Sequence, residues 1–156
     1  MMDSTTFRLQ GPDYYVRLAD LLPLIPDNDW VWSILECDGT GIMPNGMSVD
    51  AFEELVHASP TGLVLRWPEL KAFATGLEWN HFLLVVAVRS VEQLVAAELG
   101  VDDFSTCLVV LEAFDSTSWM VAVQPGVTNE HDIVEAVRAR YSRAASTHPG
   151  SGASEA

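Results

Sequence analysis

Apolar residues in this chain fall into short runs divided by turn residues, and several of the intervening stretches carry a helical stripe. Phe82 to Val88 is a near-continuous apolar run closed by Arg89, which predicts a central strand buried on both faces. Cys107 to Phe114 predicts a second one. Asp115-Ser116-Thr117-Ser118 joins it to a strand from Trp119 to Val123, and a polar link between two β-rich runs predicts a hairpin. Trp30 to Glu36 is rich in aromatic and branched residues and reads as a strand. Phe7 to Gln10 and Leu63 to Arg66 predict shorter strands.

The helical period is clearest at Leu70, Phe73, Ala74 and Leu77, with Pro68 in the first turn where its missing N–H costs nothing. Val49, Phe52, Leu55 and Val56 predict a helix capped by Ser48 or Asp50 and ending near His57. Three further helices are expected. One runs from Tyr14 to Leu22 behind Asp13, and one passes through Val91, Leu94, Val95 and Leu99 to Gly100. The last is capped by Thr128 or Asn129, with Ile133, Val137 and Tyr141 spaced by four. Asp38 to Gly46 holds three glycines, a proline and an Asn-Gly pair, and reads as the longest irregular loop inside the fold.

These elements predict an α+β fold: a mixed, largely antiparallel sheet covered by amphipathic helices, with a C-terminal β-hairpin and a final helix. The alternative is a doubly wound α/β sheet, since the helical segments are long enough for parallel crossovers. Residues 1–143 are expected to form a single globular domain. Residues 144–156 are expected to be a disordered, dispensable tail, because Ser, Gly, Ala and Pro dominate it.

Charge narrows the function. Twenty-two acidic residues oppose eight basic ones, of which only Lys71 is a lysine, for a formal charge of −14 at pH 7. That disfavours nucleic acid and anionic membrane surfaces, which require a cationic footprint. A basic protein partner is favoured instead. The five Trp, six Phe and three Tyr place this charge on a folded body and not on a disordered acidic chain. The longest apolar run is too short to span a bilayer, and the N-terminus carries no secretory pattern, so a cytoplasmic protein is expected. Seven arginines to one lysine fit a GC-rich bacterial genome.

No motif fixes a reaction. Gly39-Thr40-Gly41 lacks the third glycine of a dinucleotide loop, position 44 being Pro, and no Gly-Lys-Ser/Thr ending exists. His57, His81, His131 and His148 show no metal-ligand spacing, so neither metal nor other cofactor is expected. Cys37 is flanked by Glu36 and Asp38, which disfavour its thiolate, and Cys107 has no catalytic context. No catalytic residues are assigned. Tryptophan beside carboxylate is the remaining signal, since such pairs can grip a basic surface. The expected partner-binding residues are Asp29, Trp30, Asp38, Glu53, Glu54, Glu78 and Trp79.

The sequence therefore predicts a non-catalytic acidic binding protein. Its most concrete form is an inhibitor, immunity-type protein or antitoxin that neutralises a basic enzyme such as a nuclease toxin. One alternative is a small enzyme or small-ligand binder with a site at the 38–46 glycine loop plus His57 and His81. Another is a subunit of a larger assembly, or a chaperone for a basic secreted protein.

Overall fold

A computed structural model describes residues 2–128 and 132–142. The predicted 144–156 tail, His131 and the Asn129 cap lie outside them. In chain order the elements are strands β1 (Asp3–Arg8), β2 (Gln10–Gly11) and β3 (Tyr14–Tyr15), helix α1 (Leu18–Leu21), and strand β4 (Val31–Gly41). Helix α2 (Val49–His57), strand β5 (Leu63–Leu65), helix α3 (Trp67–Gly76) and strand β6 (Leu77–Val88) follow. Helix α4 (Ala96–Leu99), strands β7 (Val109–Phe114) and β8 (Ser118–Val123) and helix α5 (Ile133–Val137) complete the series.

Six strands form one sheet in the order β1-β8-β7-β6-β4-β5, and every pair is antiparallel. The fold is α+β with a C-terminal hairpin and a final helix. The doubly wound alternative requires parallel neighbours, and the described sheet has none. Among the described residues no helix is long and apolar enough to cross a membrane.

One face of the sheet carries the larger core. Trp32, Ile34, Cys37, Leu83, Val85, Leu111, Ala113, Trp119 and Val121 project there and meet α1, α2, α3 and α5. Helix α2 forms as predicted: Ser48 accepts the Ala51 N–H at its start, and Phe52 and Val56 enter the core. Phe52 stacks on Phe73 of α3 at 5.0 Å. Helix α3 has Pro68 in its first turn and is closed by Glu69, which accepts the Arg66 N–H.

Trp119 ties the hairpin to the N-terminal segment. It is fully buried, and its indole N–H donates to the Val16 carbonyl at 2.9 Å. Trp119→Phe removes that donor and strands a buried carbonyl, which costs about 1–3 kcal/mol. The urea midpoint should fall with an unchanged slope.

Three predicted helices differ from the observed structure; the last begins behind Asp132, whose side chain accepts the Glu135 N–H, and not at Thr128. Tyr14 and Tyr15 pair with Gln10 and Gly11 as a small hairpin, and the helix is confined to Leu18–Leu21 with a 3-10 turn behind it. The Tyr15 hydroxyl accepts the Asn80 N–H, so this tyrosine serves the sheet and not a helical face. Its cap is Asp20, which accepts the Arg17 N–H; Asp13 lies upstream. The predicted 91–99 helix is a 3-10 turn at Val91–Gln93 followed by the short α4. Gln93 Oε1 accepts the N–H groups of Arg89 and Ser90, which bends the chain before a helix can propagate.

Candidate functional site

Among the described residues, the second face of the sheet is only half covered. Cross-strand partners share a face, so register converts the strands into rows of neighbouring side chains. Ser33, Val86, Val110 and Ala122 form one such row, with Val31 and Val88 beside it. These lie under Leu94, Leu99 and Cys107 of the 89–108 connection. The next row reads Glu36, Leu84, Glu112, Met120, Thr6, and no residue of it is fully buried. Asp38 and Phe82 start a third row, continued by Phe114 opposite Ser118, and Thr40 with Trp79 starts a fourth. The open half of this face is therefore built from carboxylates and large apolar side chains.

Three irregularities shape it. Leu35, His81 and Glu78 are each left without a cross-strand partner where the β4–β6 register shifts. Such bulges re-aim side chains at sheet surfaces. His81 stands between Trp79, stacked at 6.0 Å, and Phe82, edge-on at 4.4 Å. Phe82 meets Phe114 at 5.4 Å, which makes a continuous aromatic ladder across two strands.

The ladder ends at the β7–β8 turn. Asp115 and Ser116 both have positive φ, 54° and 56°, as a type I′ hairpin turn demands. Neither is glycine, so the conformation costs about 1 kcal/mol or more at each. His81 holds it in place: Ser116 Oγ is 2.6 Å from Nδ1, Asp115 Oδ1 is 3.3 Å from Nε2, and the Ser116 N–H donates to the His81 carbonyl. This Ser–His–Asp grouping is a strap on a strained turn. The Ser116 N–H is already engaged, so it offers no donor to an oxyanion.

A cleft of about 330 Å³ opens beside the ladder. Leu35, Leu84, Phe82 and Phe114 supply its apolar walls, and Glu36, Asp102 and Glu112 its charge. Among the described residues no Lys or Arg lines it. Burial pushes the Glu112 carboxyl above the ordinary range, and the nearby Asp102 adds to the rise. Across the cleft, Glu36 is 2.5 Å from His57 Nε2 at the end of α2.

The predicted site residues are thus dispersed. Asp38 and Trp79 lie on the open half-face, and exposed Glu78 sits in the bulge before Trp79. Glu53 and Glu54 belong to α2, which packs on the opposite face, and Glu53 is one of the charges that disfavour the Cys37 thiolate. Asp29 is exposed at the start of β4, roughly 25 Å along the strand from Asp38. Trp30 is buried, tilted against Trp32 at 6.0 Å, in a cluster that continues to Trp67.

The predicted 38–46 loop is corrected as well. Asp38–Gly41 belong to β4, and only the segment after Gly41 is irregular. A Cβ at Gly39 would meet the Trp79 carbonyl oxygen at 2.3 Å, so glycine here permits close strand approach, not a turn. His57 and His81 are engaged by separate carboxylates, Glu36 and Asp115. Among the described residues no group of three His, Cys, Asp or Glu is placed to hold a metal.

Sequence reasoning passed over Glu36, Phe82, Glu112 and Phe114 as site residues. Glu112 did carry a signal, as the lone carboxylate inside an apolar strand. The two thiols sit apart from the open face. Burial, with Glu53, Asp38 and Glu36 adding to it, pushes Cys37 up to about 12; burial, then Asp103 and Glu98, pushes Cys107 up to about 11. Neither thiol should react with a disulfide reagent at mildly alkaline pH in the folded protein, and both should react in denaturant.

No family model, curated protein or solved structure matches this chain.

Proposed function

We propose that this is a non-catalytic acidic binding protein, of the inhibitor or immunity type, that neutralises a basic protein such as a nuclease toxin. One observation carries the reading: the described residues leave half of a sheet face uncovered, floored by aromatic side chains between carboxylates. Half-exposed Phe82, Leu84 and Met120 and exposed Phe114 supply short-range contact area. Glu36, Asp38 and Glu112 supply the charge, and the one arginine in these rows, Arg8, lies about 19 Å from Asp38 across the sheet. Hydrophobic centres edged by like charge are how one protein recognises an oppositely charged one.

Immobilised protein incubated with a panel of small basic nucleases should retain and silence its target at low salt. Retention should weaken as salt rises, and the Glu36→Lys/Asp38→Lys pair should abolish it. A target whose retention ignores both salt and this pair would remove the reading.

A further inference from the structure

We infer that the cleft between Glu36 and Glu112 receives an arginine side chain of the basic partner. This rests on the basic-partner reading of the open half-face and names its anchor.

Glu36 and Glu112 flank Leu84 in one row, so their Cα atoms are roughly 10 Å apart, two strand spacings. A cation lying over Leu84 stands between the two carboxylates. The adjoining row presents the rings of Phe82 and Phe114, which meet edge to face and form one wall. Asp102 closes the rim from the turn after α4. Among the described residues, the Glu112 side chain has no hydrogen-bond or ion-pair partner, although its surroundings are half-buried. The charged group that acts on it is another acid, Asp102. Among the described residues lining the cleft, none supplies this carboxylate with a cation.

The lining selects among cations. A guanidinium is planar and weakly hydrated, stacks on aromatic rings and bonds carboxylates two at a time. Its aliphatic stem covers apolar surface such as Leu84 and Leu35. A lysine ammonium is compact and strongly hydrated, and gains less from an aromatic wall. A hard metal ion requires several converging oxygens, and here apolar groups separate the acids. The competitor for Glu36 is His57, which an incoming arginine displaces without breaking any core contact, since His57 is exposed.

Calorimetric titration of the full chain with oligoarginine and oligolysine peptides of equal length tests this. Oligoarginine should bind about tenfold more tightly than oligolysine. Glu112→Gln and Phe114→Leu should each erase most of that difference; Phe114→Leu keeps the apolar bulk and removes the ring. Both positions are at least partly exposed, and circular dichroism checks that the fold is retained. Equal, salt-sensitive binding of the two peptides would overturn the arginine pocket and leave the acidic-face reading standing. An arginine preference unchanged in both variants would also overturn it, since the side chain would then bind elsewhere. Binding of neither peptide would overturn the pocket and weaken the acidic-face reading with it.

Discussion

Val86→Asp and Val110→Asp are each expected to yield no soluble, folded protein. The two valines are cross-strand partners in the centre of the sheet, both essentially inaccessible, beneath Leu94 and Leu99. An aspartate at either position buries a carboxylate among Val, Leu and Ala side chains. Beside Val86 in the row stands Ser33, whose hydroxyl already donates to the Thr61 carbonyl, and the polar side chains nearest Val110 in the row, Ser33 and Ser4, are each two strands away. The cost of an unpaired buried polar or charged group is several kcal/mol, comparable with the whole stability of a small domain, about 5–15 kcal/mol. Val91→Asp is the control. Val91 belongs to the same 89–108 connection but is half-exposed, and its substitution should leave folding intact. Soluble expression and near-ultraviolet circular dichroism provide the readout. Native-like protein from either buried variant would mean that the sheet centre lies elsewhere.

That centre was legible in the sequence because both strands are apolar at consecutive positions. Helices α2 and α3 were equally legible, since their stripes, caps and proline agree with one another. Asp115-Ser116 marked the hairpin turn. The failures have a common physical origin in contacts between segments distant in sequence. Gly39 and Gly41 resemble loop glycines until β6 is laid beside them; then their lack of a side chain is what lets two backbones approach. The 77–82 stretch extends β6 well before the apolar run, because its partner is β4 and not its own periodicity. The open half-face is a row property. Glu36, Leu84 and Glu112 are separated by dozens of residues and become neighbours only through register. Periodicity along one strand cannot show that the 89–108 connection covers Val86 fully and Leu84 only in part.

The charge reading gains a location from the same rows. Three of the cations are committed away from the open half-face. Arg17 donates to the Thr75 and Leu77 carbonyls, Lys71 lies over Trp67 beside Asp27, and Arg138 reaches Asp3, Glu135 and the Ser4 carbonyl. These contacts fasten the helices and the N-terminal segment, on the side away from the cleft. Trp30, Trp32, Trp67 and Trp119 are likewise committed to the core, and Trp79 is the one exposed tryptophan among the described residues. Of the two tryptophan-beside-acid pairs, Trp79 beside Glu78 is exposed and Trp30 beside Asp29 is buried.

Glu36→Lys/Asp38→Lys should slow association with the basic partner about a hundredfold at low salt, the range over which steering fields act. Both positions are exposed, so the fold should persist. The decisive comparison is Glu53→Lys/Glu54→Lys. It changes net charge by the same amount but sits on α2, which packs on the other face of the sheet and touches the cleft wall only where His57 at its end meets Glu36. Its effect should be several-fold smaller, because the field that orients a partner is the field of the face it meets. Raising the salt shortens the Debye length to about 8 Å at physiological ionic strength and should shrink both effects. Trp79→Ala should behave differently, leaving association nearly unchanged and speeding dissociation, since an aromatic contact acts only once the surfaces touch. Stopped-flow mixing across a salt series separates the two rates. Equal slowing by the two lysine pairs would mean that total charge, and not the open half-face, draws the partner in. Carboxylates on α2 would then be as good a place to look for the interface as Glu36 and Asp38.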